Sequence, residues 1–207
     1  MIRVQEGRPI GELWGKRFAG ISTSGEWLFF NANGDIVRSA ETSEADDQVI
    51  GNGMPDFQLG FDNTIRYKNW DLNMFWRGAF GHDLANSFNI FYKNPNTAFG
   101  WNVTTTALEL SDLREDPQFS SFYVEDASFM RLENLTIGYT FDLRAGSPLR
   151  NLRLYASGNN LWTITNYTGV DPEVRFEDDG NPLAPGIERR DQWFTQTSFV
   201  FGIDLGF

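Results

Sequence analysis

The last residues of the chain alternate between apolar and polar side chains. Between 197 and 207 the odd-numbered positions from 199 onward are apolar, and they are Phe199, Phe201, Ile203, Leu205 and Phe207. The positions between them are small or polar, apart from Val200. Successive side chains of a β-strand point to opposite faces, so this pattern predicts a strand with one apolar and one polar face. Taken alone, the segment fits a soluble sandwich and a transmembrane barrel equally well.

Four further segments show the same alternation and predict strands. They cover residues 57–67, 70–80, 134–141 and the stretch that begins at 151. Each is about 10 residues long, which is the length that a tilted strand needs to cross a bilayer. Residues 10–21 are a candidate for one more strand, and residues 27–30 and 36–38 predict a hairpin with an Asn-Gly turn. The sequence therefore predicts an all-β fold with five or six long strands and an irregular start.

The connections between these strands alternate in length. Residues 68–69 and 144–150 are short connections, whereas residues 81–128 and 166–191 are long ones. Most loops of soluble domains are about 4–6 residues long. Outer-membrane barrels, in contrast, combine short periplasmic turns with long extracellular loops. The alternation favours an antiparallel transmembrane β-barrel.

Composition narrows the class of protein. Hydrophobic residues make up 41% of the chain, and no continuous apolar run is long enough for a transmembrane helix. The net charge of −11 argues against a nucleic-acid partner. There are no cysteines, and the first residues lack the apolar core of a signal peptide. Five or six strands cannot close a barrel, since single-chain bacterial barrels start at about eight strands. We therefore expect the chain to be part of a larger protein.

Five segments of the chain carry a recognisable pattern, and they are residues 51–61 (GNGMPDFQLGF), 67–72 (YKNWDL), 123–139, 159–173 and 199–207. In these segments, which occur in family order, the chain resembles the C-terminal part of the SusC/RagA family of TonB-linked outer membrane transporters. The resemblance implies that residues 1–207 supply the last five or six strands of a 22-stranded transmembrane barrel with long extracellular loops. It also implies that the plug domain and the N-terminal strands of the family are absent from this sequence.

The resemblance further implies a function in transport rather than catalysis. The expected protein lies in the cell outer membrane, needs no cofactor and imports oligosaccharides or peptides. Its implied partners are a SusD-like surface lipoprotein, outer membrane lipid, and TonB, which would act through the missing N-terminal part. The side chains expected to face lipid are Phe199, Phe201, Ile203, Leu205 and Phe207.

Other residues are weaker candidates for a functional role. Trp101 in the long loop, together with Asp171 and Glu173, is a candidate for contact with a ligand or partner. The aromatic residues near the expected outer strand ends and in the outer loops fit either an interfacial girdle or sugar stacking, and they are Trp101, Trp162, Tyr167, Trp193 and Phe194. The girdle is favoured for Trp162, Trp193 and Phe194. The lone His82 predicts a loop or strand-end position, and residues 31–35 (NANGD) predict a turn rather than a calcium loop.

Two other classes of function compete with the transporter. A secreted carbohydrate-binding β-sandwich would explain the aromatic residues and the acidity, but it explains the alternation of loop lengths poorly. A glycan-degrading enzyme would need a carboxylate pair across a cleft. The adjacent acids Asp46-Asp47 and Asp178-Asp179 are instead expected in solvated loops.

Overall fold

The computed structural model describes residues 1–173, 183–189 and 193–207. It has one short α-helix, α1 (Ser87–Tyr92). The strands, in chain order, are β1 (Glu12–Gly15), β2 (Arg17–Ile21), β3 (Trp27–Phe30), β4 (Ile36–Arg38), β5 (Gln48–Asn52), β6 (Phe57–Tyr67), β7 (Trp70–Phe80), β8 (Asp83–Ala85), β9 (Val124–Asp126), β10 (Phe129–Thr140), β11 (Asn151–Thr165) and β12 (Ser198–Gly206). Short 3₁₀ helices lie at Ser39–Glu41, Glu44–Asp46, Pro95–Phe99, Thr105–Leu110 and Ser121–Tyr123.

The described chain divides into two compact units. The sheet unit consists of Phe57–Ala79, Phe129–Thr165 and Thr195–Phe207. The loop unit consists of Met1–Asp56, Phe80–Ser128 and Asn166–Phe194. The long connections predicted from the sequence therefore fold together with the first 56 residues into a unit of their own.

The sheet unit is a single five-stranded sheet in the order β12-β11-β10-β7-β6. β10 pairs antiparallel with both β7 and β11, and β11 pairs antiparallel with β12. The tight turn at Lys68 and Asn69 joins β6 to β7, and such a short connection fits antiparallel neighbours. These are the five strands that the alternating pattern predicts.

Two strands are longer than their sequence pattern predicts, because bulges interrupt the alternation. The register of β10 shifts between Leu132 and Asn134, and β11 carries extra residues opposite that shift. β10 carries one residue more than β7 at this point, so its apolar positions change from even numbers (Met130, Leu132) to odd numbers (Leu135, Ile137) along the strand. β10 therefore begins at Phe129, earlier than the predicted residue 134, and β11 continues to Thr165.

The loop unit has its own apolar core. Its buried members are Trp27, Phe29, Leu110, Leu113 and Tyr123. Trp27 Nε1 donates to the carbonyl of Asp116 at 2.9 Å, and the backbone N–H of Trp27 donates to the Glu115 carboxylate at 2.7 Å. Because a buried indole N–H needs a partner, these bonds hold the long loop against β3.

The first 56 residues confirm one prediction and correct another. The hairpin β3–β4 forms as predicted, and Asn31 Oδ1 accepts from the N–H groups of Asn33 and Asp35 in its turn. The single strand predicted for residues 10–21 is wrong. β1 pairs with β5 whereas β2 pairs with β3, so the chain changes partner at Lys16. No helix in the described ranges is long and apolar enough to span a membrane.

Candidate functional site

One face of the sheet unit is apolar and exposed across neighbouring strands. In β12 and at the residue after it, Phe199, Phe201, Ile203, Leu205 and Phe207 are 51% to 80% exposed. The register places Phe201 beside Ala156 and Ile137, and it places Ile203 beside Leu154 and Tyr139. Exposed apolar patches of this extent mark membrane or protein contact surfaces.

The other face carries a polar network centred on Arg153. Its guanidinium makes a two-pronged bond to Asp71 of β7, with Nε to Oδ1 at 2.9 Å and Nη2 to Oδ2 at 2.6 Å. Arg153 Nη1 also donates to Asp204 Oδ2 of β12 at 3.0 Å. One side chain of β11 thus links strands on both of its sides. Charge-assisted, two-pronged bonds fix geometry better than single ones.

Further polar pairs continue along the same face. Asn134 Nδ2 donates to Ser157 Oγ at 3.1 Å and to Asn159 Oδ1 at 2.9 Å. Asn73 Nδ2 donates to Asp62 Oδ1 at 2.9 Å. The hydrogen bonds on this face therefore cross from strand to strand, a pattern that suits a surface in contact with water.

Glycines allow large side chains to lie across this polar face. A Cβ atom on Gly138 would lie 2.6 Å from Arg153 Nε, and a Cβ atom on Gly202 would collide with the ring of Tyr155. A glycine inside a strand often marks such a close approach. A Cβ atom on Gly60 would lie 3.4 Å from the ring of Phe75, which is an ordinary contact. The Arg153–Asp71 bond depends on the absence of a side chain at residue 138.

In the loop unit, two carboxylates hold one stretch of backbone. Glu125 accepts from the N–H of Thr168 at 2.9 Å and from Asn86 Nδ2 at 2.9 Å. Glu188 Oε1 accepts from the N–H groups of Val170 and Asp171. The residues from 168 to 171 are therefore fixed by acids that lie before and after them in the chain.

Burial changes the acidity of this cluster. Glu188 is buried, and desolvation raises its pKa above the ordinary value, although the N–H of Val170 acts against the shift. The pKa of Tyr167 is also raised, first by desolvation and then by the charge of Glu188. The pKa of Asp126 is lowered, because the hydroxyl and the N–H of Ser128 both donate to its carboxylate. No group of three or more His, Cys, Asp or Glu side chains that could hold a metal ion occurs in the described part of the chain.

Several known proteins are similar to this chain in sequence or in fold. TonB-dependent receptor P3 of Formosa agariphila is 31% identical over 199 residues, which cover 86% of this chain and 20% of that protein. TonB-dependent receptor SusC of Bacteroides thetaiotaomicron is 28% identical over 187 residues, which cover 86% of this chain and 17% of that protein. A solved structure of the RagAB peptide importer in its closed-closed state matches with a TM-score of 0.76 and 24% identity, over 94% of this chain and 23% of that one. No protein-family model matches the sequence.

The chain is a portion of a SusC/RagA-family TonB-dependent receptor. It spans about a fifth of the length of the curated relatives that it matches. The fold prediction is confirmed: the five-stranded sheet is an all-β fragment of an antiparallel transmembrane barrel. Each of these curated relatives is named a TonB-dependent receptor.

The candidate contact residues of this SusC/RagA portion lie in different environments. Trp101 follows the 3₁₀ helix Pro95–Phe99 and is 65% exposed. Asp171 is only 4% exposed, and its Oδ1 accepts from the N–H of Glu173 at 3.0 Å. Asp171 thus shapes its own loop, whereas Trp101 presents an exposed ring. Contact with a ligand or partner stays a prediction for all three residues.

The girdle interpretation is wrong for Tyr167. This residue is 7% exposed and packs with Leu84 and Ala127 in the loop unit. The sequence could not show this, because the partner strands β8 and β9 are only three residues long. Trp162, Trp193 and Phe194 are exposed, and Trp162 meets Trp76 edge-on.

His82 lies just before β8 as predicted, but it is buried, with Nε2 3.0 Å from the carbonyl of Pro172. Asp178 and Asp179 lie outside the described residues.

An aromatic cluster at the short-turn end was not predicted. Tyr139 meets both Trp70 and Phe141 edge-on, with ring centroids 4.8 Å apart in both contacts. They lie at the end of the sheet that carries the connections 68–69 and 141–150. The sequence held a signal for this cluster, because all three residues are alternate apolar positions of strands that end at the short connections.

Proposed function

We propose that this chain is the C-terminal wall of a barrel in the cell outer membrane, and that the whole protein imports oligosaccharides or peptides. In this proposal the plug domain and the preceding strands belong to the rest of the transporter. The chain contributes β6, β7, β10, β11 and β12 to a 22-stranded barrel. It acts without a cofactor and catalyses no reaction.

The observation that carries this proposal is the contrast between the two faces of the sheet. The apolar face of β12 is exposed, whereas the polar face is tied together by bonds such as Arg153–Asp71. In a carbohydrate-binding sandwich the apolar faces would be buried against a second sheet. In a barrel they meet lipid, and the polar face lines the lumen. The arrangement therefore supports the barrel over the sandwich.

The connections suggest which end of the sheet faces the periplasm. We place the short connections 68–69 and 141–150 in the periplasm and the long connections outside the cell, as outer-membrane barrels do. The long connection after β7 would then present Trp101 to a SusD-like lipoprotein or to an incoming ligand. Energy would come from TonB through the N-terminal part of the transporter. The importer RagAB, similar in fold, is named for peptides, which keeps peptides beside oligosaccharides as the substrate class.

A pair of substitutions in the full-length transporter tests the proposal. Ile203→Arg places a charge on the lipid face and should cost about 2–4 kcal/mol near the bilayer centre. Val200→Arg is the matched control, because Val200 lies on the opposite face of the same strand. We expect Ile203→Arg to lower the amount of heat-resistant folded barrel in the outer membrane and the TonB-dependent uptake of glycans or peptides.

The control should assemble at the level of the wild type. If both variants assemble equally well, the apolar face does not meet lipid and the barrel proposal fails. If the unsubstituted transporter assembles but takes up neither class of substrate in a TonB-dependent manner, the proposed transport function fails while the barrel stands.

A further inference from the structure

A trough runs along β11 on the apolar face, because two of its residues there are small. Ala156 lies in register between Ile137 of β10 and Phe201 of β12, and Gly158 follows on the same face. The larger side chains on both neighbouring strands stand above these positions. The trough has a volume of about 430 Å³ and is lined mainly by apolar side chains, among them Trp70, Ile137, Tyr139, Phe141, Leu154 and Phe201.

The two ends of the trough have different surroundings. A Cβ atom on Gly158 would lie 2.7 Å from Leu161 Cδ2, so the side chain of Leu161 covers Gly158 and ends the trough. Toward the short turns the trough continues past Leu154 to the aromatic cluster of Trp70, Tyr139 and Phe141. Aromatic residues of this kind prefer the interface between lipid tails and headgroups.

The end toward the short turns is positively charged, although the chain as a whole carries a net charge of −11. The two turns at residues 67–70 and 141–150 hold three basic residues, Lys68, Arg144 and Arg150, against one acid, Asp142. Arg153, Asp71 and Asp204 lie on the opposite, polar face and are bonded to one another. Lys68, Arg144 and Arg150 are exposed, and the two turns are joined by the N–H of Thr140, which donates to Asn69 O at 2.8 Å.

We propose that the trough and these turns bind one anionic phospholipid. One acyl chain lies along Ala156 between Ile137 and Phe201, and the phosphate lies among Lys68, Arg144 and Arg150. Basic side chains beside an apolar surface favour an anionic headgroup over a zwitterionic one. The inference rests on the proposed barrel and goes beyond it, because a barrel wall needs only non-specific contact with lipid.

The test uses the full-length transporter, purified in detergent and mixed with phosphatidylglycerol or phosphatidylcholine. Native mass spectrometry counts the lipids that stay bound. We expect one retained phosphatidylglycerol, preferred about tenfold over phosphatidylcholine. Ala156→Phe fills the trough and should abolish retention, with Ala156→Leu as the smaller filler if the first variant does not assemble.

Matched controls separate this site from ordinary lipid contact. Ile65→Phe enlarges an apolar-face residue outside the trough lining, and it should leave retention unchanged. The triple variant Lys68→Gln, Arg144→Gln, Arg150→Gln should lose the preference for phosphatidylglycerol, whereas Arg38→Gln should keep it. Equal retention of both lipids by the wild type, or full retention by the assembled Ala156 variants, would overturn the lipid site. Heat-modified mobility on gels reports barrel assembly separately, so a failure of the barrel proposal can be recognised.

Discussion

At the scale of single residues, the absence of a side chain at Gly138 of β10 lets a side chain of β11 reach across to β7. Arg153 reaches Asp71 of β7 only by crossing β10 at this glycine. The sequence shows a glycine on the polar face of β10, but it does not show which side chain lies over it. That information comes from the register, which sets Gly138 opposite Tyr155 and places Arg153 diagonally across the pair.

We predict that Gly138→Val lowers the free energy of unfolding in lipid vesicles by about 1 kcal/mol, since it displaces the guanidinium from Asp71. In an Arg153→Gln background the same valine should cost much less, because the bond is already gone. Urea titrations of the four proteins of this cycle measure the coupling. Equal costs in both backgrounds would show that the valine acts by some other route.

The buried carboxyl of Glu188 makes the stability of its loop depend on pH. Its pKa is raised in the folded state, so folding favours the protonated form. The favourable contribution is therefore present at pH values below the ordinary pKa of Glu, and it is lost as pH rises through the raised folded value. We predict that amide hydrogen exchange of Val170 and Asp171, corrected for the intrinsic rate, becomes faster across this window.

Glu188→Gln should flatten this pH dependence, because the amide oxygen still accepts from Val170 but carries no proton that titrates. The contribution of Asp126 to stability has the opposite pH dependence, because hydrogen bonds from Ser128 lower its pKa. Its contribution is present above the ordinary pKa of Asp and is lost as pH falls through the lower folded value, and Asp126→Asn should remove that loss. A Glu188→Gln protein with an unchanged exchange profile would contradict the assignment.

At the scale of elements, the alternating pattern predicts the strands but not their bulges. Residues 57–67 and 70–80 alternate without interruption, and their predicted bounds agree with β6 and β7. β10 extends beyond the predicted alternation, because the bulge at Leu132–Asn134 reverses which of its positions lie on the apolar face. β11 continues past the extra residues 160 and 161 that lie opposite this bulge. A period of two cannot be followed through an inserted residue. The short strands β8 and β9 of the loop unit were missed for a related reason, since three residues are too few to show a period.

The bulge in β11 gives the third prediction. Asn160 has a φ of 51°, in the left-handed region that asparagine and glycine tolerate and β-branched residues avoid. Asn160→Val should cost about 1–3 kcal/mol in vesicle unfolding experiments, whereas Asn160→Gly should be close to neutral. If the two variants are equally stable, the left-handed backbone does not constrain this position.

At the scale of the whole molecule, a modest share of hydrophobic residues and a negative charge do not conflict with a place in the membrane. The apolar residues of the sheet unit occupy one face, and the acids are concentrated in the loop unit and on the polar face. The average composition therefore does not show that the chain belongs in a membrane. The distribution of apolar and charged residues between the faces of the sheet does. The family could be recognised from the sequence because its motifs lie in the strands and loops that the fold needs. The burial of Tyr167 and Asp171 could not, since it depends on contacts between distant loops.

The central claim is that the odd-numbered residues of β12 face lipid and the even-numbered residues face water. The chain has no cysteine, so single cysteines can be placed from Ser198 to Phe207 in the full-length transporter, provided that the remainder carries none that react. Labelling of intact outer membranes with a water-soluble maleimide then measures how accessible each cysteine is to water. We expect strong labelling at 198, 200, 202 and 204 and weak labelling at 199, 201, 203 and 205. Uniform labelling along the strand, or the reverse alternation, would contradict the account.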